Sequence, residues 1–589
     1  MEKIKMEKIK MEKIKMEKIK EYLKNNYRET AIVAIITFFA LILRLIMLQN
    51  YGDLWLDELY SWYFASQNNV IDTVLELVKQ DIHMPLYFVI LHFWTRLFGQ
   101  SDVAMHSCTL FLTLPLIPIA FYSMKTLFNK TVGYFSAILL AINAWGIYYS
   151  IEVRFYGFVF VLSILSAFSF AKMLETFDKK YIWAFIISHA LLIYTFSATG
   201  MLTLMYALFA IIYLVLKRRD KLLEMAKYFS ILLIVSIPVI AIMIYNTLIF
   251  NSEICSFTRE IYFFDWKVLF DMLETYFSSE NYQLMTREIN VYGNIFEKMS
   301  VPSYFILVAI PIFIGLVGFI RSLFSKNKLL YFFLIPSLMF LVVSLLLASS
   351  GKIAFLTRYS TIIYSVIMCS ACYGLSLLNW KKVHIVLFSL WILINYIYFY
   401  VAPTNIFTNP RIELGSLSKL LEEQVQIKDT DYVLIPYSGS KVMRYVPHGV
   451  YIPFEADDML LLKGEDSLEF YFGTKDIDKK NVRAFMYDYI AKNIVMEAYY
   501  NNLKKNYIDK MNRGDRLILI SYRDGFTMPL IQNWRMLKDV NTYNNMNLFV
   551  LMMSKVTKDS LDIAQQTLKP LGSVQVRDAG YSIFVYEKQ

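Results

Sequence analysis

The sequence predicts a polytopic α-helical membrane protein, with about eleven transmembrane helices and a C-terminal extracytoplasmic α/β domain, on three observations. The 589-residue chain is 57% hydrophobic and only 18% charged, with a mean hydropathy of +0.43, whereas a water-soluble chain would carry about a quarter charged residues. Apolar runs approaching the roughly 20 residues needed to cross a bilayer recur from Ala31 to Val401. Beyond Val401 the pattern changes to short apolar strands between polar, helix-like stretches.

Residues 1–30 read as a basic cytoplasmic tail, opening on Met-Glu-Lys-Ile-Lys repeated four times. On a helix each five-residue step turns the apolar pair by about 140°, so the repeat forms no stripe. Strand parity fails as well, because successive Ile residues change face. The tail then holds the orientation of the first span or lies on a lipid surface. Translation could begin at Met1, Met6, Met11 or Met16, and the apolar run that follows, with no small-residue cleavage pattern, is expected to remain as a span.

The spans are read near Ala31–Gln49, Ala104–Met124, Val132–Ser150, Phe155–Glu175, Tyr181–Ser197, Gly200–Leu216, Phe229–Phe250, Tyr304–Ile320, Leu329–Ser349, Tyr359–Leu378 and Val383–Val401. Basic residues fall between alternate spans: Lys125 and Lys130, Lys179 and Lys180, Lys217 to Arg219, Arg321 with Lys326 and Lys328, and Lys381 with Lys382. The positive-inside rule makes these loops and the N-terminus cytoplasmic, and places residues 50–103, 251–303 and 402–589 outside. Leu86–Phe98 is too short to cross and would invert that pattern, so it is expected as an interfacial helix, with Pro85 at its start and Trp94 and Tyr87 at headgroup level. The net charge of +10 comes largely from these clusters, so no nucleic-acid partner is implied.

Four cysteines support no disulfide framework: Cys108, Cys369 and Cys372 fall in spans, and Cys255 alone in an outer loop. The spacing Cys369-Ser-Ala-Cys372 inside an apolar helix reads as small-residue packing.

The chemistry lies in the outer loops. Asp57 and Glu58 follow the first span, where ionised acids are costly unless water, a cation or a substrate compensates them. They are candidate catalytic residues, a carboxylate able to deprotonate an acceptor hydroxyl, with a helix cap near Leu59 as the structural alternative. On a helix the two neighbours point about 100° apart and would divide the work. In Asp81-Ile-His83-Met-Pro-Leu-Tyr87, His83 could cap the next helix, bind a ligand phosphate or help Asp57 hold a divalent cation. His92 and His106 lie too far along their helices to complete a metal cluster, so no metal site or cofactor is assigned.

Glu152-Val-Arg154-Phe-Tyr156 joins two spans almost without a loop; its acid and cation either pair structurally or serve a ligand, Arg154 as an anion clamp. Lys352 and Arg358, in Gly351-Lys-Ile-Ala-Phe-Leu-Thr-Arg-Tyr359, share that outer face and could take a substrate phosphate or lipid phosphates. Tyr87 and Tyr156 are candidate aromatic surfaces for a sugar.

This set resembles the GT-C membrane glycosyltransferases, in particular the protein O-mannosyltransferase and lipid A aminoarabinose transferase group. The resemblance covers roughly the first 400 residues and rests on Asp57-Glu58 after the first span, His83-x-Pro-Leu-Tyr87, Glu152-x-Arg154, and Arg358-Tyr359 opening a late span. It implies a polyprenyl-phosphate sugar donor, a hydroxyl acceptor (glycolipid, polysaccharide or protein) on the extracytoplasmic face, and inversion at the anomeric carbon. Asp57 would be the base, Arg154 a donor-phosphate ligand, and Glu152 a residue orienting the acceptor or the arginine. Where family members often have His-Pro-Pro, this chain has His83-Met84-Pro85, which weakens the transfer of a role to His83 more than to Asp57.

A sugar phosphate already carries a good leaving group, so one base and cationic stabilisation suffice without a second, protonating carboxylic acid. No Gly-x-x-x-x-Gly-Lys-Ser/Thr motif is present. A transporter or lipid flippase with an external domain is the alternative; it would place charges near the midplane of broken, repeated helices. In the C-terminal domain, strands are expected at Tyr432–Ile435, Leu517–Ile520, Leu548–Met552 and Ile583–Tyr586, and a helix at Asn481–Tyr507. The turn Ile435–Lys441 reads as a plain connection or a weak anion cradle.

Overall fold

The structure, a computed structural model, describes residues 27–49, 54, 56–246, 266–278, 305–353, 355–378, 382–401, 418, 421–434, 443–452, 510–522, 568–575 and 581–588. The N-terminal repeat, Asp53, Cys255, the Ile435–Lys441 turn, Asn481–Tyr507 and Leu548–Met552 lie outside them.

The body is helical. Its first half comprises α1 (Tyr27–Gln49), α2 (Leu56–Ala65), α3 (Val70–Gln80), α4 (Leu86–Phe98), α5 (Asp102–Thr113), α6 (Leu116–Leu127), α7 (Lys130–Ile142), α8 (Ala144–Tyr149) and α9 (Tyr156–Thr176). The second half comprises α10 (Lys179–Thr195), α11 (Thr199–Lys217), α12 (Leu222–Tyr245), α13 (Lys267–Leu273), α14 (Ile310–Leu323), α15 (Lys328–Ser349), α16 (Thr361–Ser376) and α17 (Val383–Val401). Among the described residues eight helical stretches are long and apolar enough to cross a membrane: α1, α5–α6, α9, α11, α12 with its preceding turn, α14 with the helical turn before it from Ile306, α15 and α16 with its preceding turn. The other expected spans are also helical: α7 has 13 residues, α10 has 17, and α17 is apolar over Val383–Ile397. Burial sorts the spans by place: α16 and α9 lie mostly inside the protein, whereas α12 lies mostly at its surface. The first two form the core, and α12 turns its apolar surface outward, as a lipid-facing helix does.

Two local breaks shape the end of the body that carries the candidate site. The expected continuous span Val132–Ser150 is divided at Asn143, whose backbone is extended (φ −61°, ψ 121°) and whose side chain accepts the Gly146 N–H to cap α8. Arg44, fully buried in α1 and not singled out in the sequence, meets the freed carbonyls of α7, with Nη1 3.1 Å from Ala141 O and Nη2 3.4 Å from Leu140 O. Helix α2 starts at Leu56, three residues before the expected Leu59, so Asp57 and Glu58 fall in its first turn, where the helix dipole favours acids. At the opposite end of the body Glu29 pairs with both Lys125 and Lys130.

Residues 266–278 of the expected second outer loop form α13 and a wide helical turn, Glu274–Ser278, packed into the body. Tyr276 OH donates to Ser360 O (2.9 Å), and Trp391 Nε1 donates to Phe277 O (2.6 Å).

Helices α14 and α16 touch backbone to backbone, because Gly318 and Gly374 face each other; a Cβ on Gly374 would fall within the Gly318 carbonyl and 2.7 Å from Ser322 N. Backbone atoms cannot rotate away, so Gly374→Ala is expected to cost about 3 kcal/mol, the upper end for overpacking. Thermal denaturation in detergent checks this, and an unchanged melting temperature would contradict the contact.

Beyond the helices is a five-stranded sheet in the order β2-β1-β3-β5-β4, from β1 (Tyr432–Leu434), β2 (Val450–Ile452), β3 (Arg516–Tyr522), β4 (Leu568–Gln575) and β5 (Tyr581–Lys588). Strand β1 is parallel to β2 and β3, and β5 is antiparallel to β3 and β4. The expected strands at 432, 517 and 583 are therefore present, while β2 and β4 were not expected: β2 is only three residues long, and β4 holds Pro570 and Gly572 at a register shift, residues that disguise a strand in sequence. The buried Asp431 anchors this sheet through Arg516, whose Nη2 lies 2.7 Å from Asp431 Oδ2.

Candidate active site

The α3–α4 turn, the α8–α9 turn, the start of α2, the first half of α5 and the turn before α16 converge at one end of the body. Asp57, in the first turn of α2, reaches the 3₁₀ turn Thr357–Ser360 before α16, and its Oδ2 lies 3.2 Å from Arg358 Nη1. Both side chains remain about a quarter accessible, 26% for Asp57 and 27% for Arg358. Two residues 301 positions apart are thereby brought into one ion pair.

Arg154 lies beneath them and is only 3% exposed. Its Nη1 donates to Asp57 O at 3.2 Å and approaches Ser61 Oγ at 3.4 Å, while Nη2 is 3.0 Å from His83 Nε2. His83 Nδ1 is in turn hydrogen-bonded to Asp81 Oδ1, which also accepts the Ile82 N–H at 2.6 Å. Nε2 can accept from an arginine only when it carries no proton, so the geometry fits the tautomer with its proton on Nδ1. Asp81, His83 and Arg154 thus form a chain that orients the guanidinium toward α2. Burial alone would raise the Asp81 pKa, but His83, Arg154 and the Ile82 N–H outweigh it and hold the carboxyl below its ordinary range. Burial likewise opposes the charge on Arg154, and Asp57, Tyr156 and Asp81 more than restore it, so its pKa is raised.

Glu58 points the other way, as the 100° step along a helix requires. It is fully buried, its Oε1 accepts the Val153 N–H at 2.7 Å, and His106 Nδ1 lies 3.6 Å from the same oxygen. His106 Nδ1 also bonds to Ile151 O at 2.8 Å. Glu58 and His106 therefore grip the Ile151–Val153 turn that presents Arg154. Glu152 is buried in that turn and accepts from Tyr148 OH at 3.2 Å. Burial, reinforced by the charges of Glu58 and Asp57, pushes its pKa well above the ordinary carboxylate value. Gly157 permits the tight turn, since a Cβ there would collide with Tyr149 O.

The remaining predicted residues separate. Tyr156 is buried among Tyr149, Phe155 and Phe196, with ring centroids 5.1, 4.4 and 6.5 Å away. Tyr87 is buried and bonded through its hydroxyl to Thr109 Oγ1 at 2.6 Å, a packing position between α4 and α5. Lys352 is exposed in the turn after α15, and among the described residues its side chain joins none of these contacts. His92 is a core histidine, 3.0 Å from Ala65 O and 3.1 Å from Thr73 Oγ1. Among the described residues no group of three or more His, Cys, Asp or Glu side chains is placed to hold a metal ion. The sequence does not single out Ser61 or Tyr148, and His106 there lies too far along its helix for a metal cluster. Ser61 lies one helical turn after Asp57, and Tyr148 one turn before Glu152, spacings that put each pair on one face; His106 carried no such signal.

A body of membrane-length helices with an accessible carboxylate–guanidinium pair at one end is that of a polytopic membrane protein, and its fold is similar to that of a solved membrane protein. The solved structure is ArnT from Cupriavidus metallidurans in the apo state: TM-score 0.51 and 11% identity over 95% of this chain and 98% of that one. The same protein bound to undecaprenyl phosphate aligns with a TM-score of 0.49 at 11% identity, over 94% and 98% of the two chains. The archaeal oligosaccharyltransferase AglB from Archaeoglobus fulgidus, in complex with an inhibitory peptide and a dolichol-phosphate, aligns with a TM-score of 0.46 at 12% identity, over 96% of this chain and 74% of that one. No protein-family model and no curated protein matches the chain.

Proposed function

We propose that this protein is an inverting glycosyltransferase that moves a sugar from a polyprenyl-phosphate donor to a hydroxyl acceptor on the extracytoplasmic face of the membrane. The observation that carries the proposal is the accessible Asp57–Arg358 pair, supported from below by Arg154. In this reading the chain crosses the membrane about eleven times, with Glu29, Lys125 and Lys130 on the cytoplasmic side and the α/β domain outside.

Asp57 accepts the proton of the acceptor hydroxyl as its oxygen attacks the anomeric carbon. The bond from that carbon to the phosphate oxygen breaks, and its electron pair leaves with the polyprenyl phosphate. Arg358, the more accessible guanidinium, meets the charge that develops on the departing phosphate, and the buried Arg154 holds the α2 backbone and adds positive potential. His83 and Glu58 then serve as positioning residues for Arg154, while Glu152, in the same turn, orients the acceptor or the arginine.

The test is purified protein in proteoliposomes supplied with a polyprenyl-phosphate sugar and hydroxyl acceptors. Release of polyprenyl phosphate with a sugar of inverted configuration on the acceptor is the expected result; movement of intact donor across the bilayer without release would replace this reading with a transporter. The division between the neighbouring acids is separately testable. Glu58→Gln keeps an oxygen for the Val153 N–H and is expected to retain transfer within about tenfold of wild type, whereas Glu58→Ala leaves a buried donor unsatisfied and should destabilise the protein by about 1–3 kcal/mol. Complete loss of transfer in a folded Glu58→Gln protein would assign Glu58 a chemical role instead.

A further inference from the structure

We infer that Arg444 and Tyr445 of the C-terminal domain are positioning residues for the transfer reaction: they brace α2 at both ends and so hold Asp57 in register with Arg154 and Arg358. The inference rests on the reading of Asp57 as the base.

Both residues sit in the short 3₁₀ turn Met443–Tyr445 between β1 and β2. Tyr445 OH accepts the backbone N–H of Leu54, just ahead of α2, at 3.1 Å. The Arg444 guanidinium lies over the indole of Trp62, in the second half of α2, 4.8 Å from the ring centroid. Its Nη2 donates to Gln100 O at 2.5 Å and to Asp102 Oδ1 at 2.6 Å, at the α4–α5 junction. Trp62 Nε1 closes the circuit by donating to Gln100 Oε1 at 3.1 Å. One turn of the C-terminal domain thus touches the approach to α2, its far half and the start of α5.

Helix α2 has ten residues, too few to be stable alone in water, so tertiary contacts fix its place. On its inner side Glu58 provides one such contact through Val153. On the outer side the cation–π contact and the charge-assisted hydrogen bonds of Arg444 supply the restraint, and both strengthen when partly desolvated. The Arg444 and Asp102 side chains are only 14% and 20% exposed. A shift of about 1 Å in a reacting group can cost up to about 100-fold in rate, so a brace on the helix that carries the base acts on turnover.

The test uses the full-length protein in nanodiscs as wild type, Arg444→Ala, Arg444→Lys and Tyr445→Phe. Steady-state transfer from a polyprenyl-phosphate sugar is measured together with hydrogen–deuterium exchange of the peptide covering residues 56–65. For Arg444→Ala we expect kcat about tenfold lower with KM for the donor little changed, and faster exchange in α2; Arg444→Lys should recover part of both. Tyr445→Phe, a smaller change that removes the acceptor for Leu54 N–H, should shift both readouts in the same direction. Unchanged exchange in α2, or full turnover in a protein whose α2 exchanges faster, overturns the inference. The exchange readout does not depend on turnover, so a wild type that transfers no sugar overturns the glycosyltransferase reading while the brace is still judged by exchange.

Discussion

Asp57→Asn is expected to lower sugar transfer by about 10²–10⁴-fold, the usual contribution of a positioned general base, while leaving the fold intact. Asparagine has nearly the shape of aspartate but cannot take the acceptor proton. The backbone carbonyl that receives Arg154 Nη1 is unaffected by the substitution, and the helix that carries it is held by Glu58 from within. The loss should therefore appear in kcat, with donor binding weakly affected. Initial-rate measurements across donor concentrations, with thermal denaturation as the control, check this. Equal turnover by Asp57→Asn and wild type would remove Asp57 as the base.

Arg358→Ala should be nearly as damaging, by about 10²–10³-fold in kcat/KM for the donor, the magnitude expected when a donor to developing negative charge is removed. Arg358 differs from Arg154 in access: its side chain is 27% exposed, whereas Arg154 is 3% exposed. A donor phosphate can thus reach Arg358 without rearrangement of the core. Arg358→Lys should recover only part of the loss, because an ammonium keeps the charge but not the planar fork that matches phosphate oxygens. Binding of polyprenyl phosphate itself separates two roles: if Arg358→Ala binds it as wild type does yet turns over slowly, Arg358 acts on Asp57 alone, and unchanged donor kinetics would exclude both roles.

Much of the helical body could be read from the sequence because a bilayer demands long apolar runs, and among the described residues each expected span falls on one helix or on two in succession. Breaks were harder to see. Asn143 divides an apolar run without proline or glycine at the break, and only the capped Gly146 N–H reveals why. Of the candidate site, Asp57, Glu58, His83, Glu152, Arg154 and Arg358 were marked as charged or polar groups at one membrane boundary, and the fold does bring them to one end. Tyr87 and Tyr156 were marked by the same proximity, yet their rings are buried. Motif position does not report which way a side chain turns.

A membrane-embedded helical chain with acids and arginines gathered at one edge is already legible in the order of residues, because hydropathy and charge placement are one-dimensional properties that a bilayer reads directly. That order also makes Asp57 and Glu58 diverge, since adjacent residues on a helix cannot face the same way. Packing supplies the rest: Arg358 meets Asp57 across 301 positions, His106 joins Glu58 in gripping the Ile151–Val153 turn, and Arg444 reaches back to Trp62 and Asp102. Those pairings depend on how helices pack and which faces they bury, and sequence spacing does not record contacts between segments hundreds of residues apart.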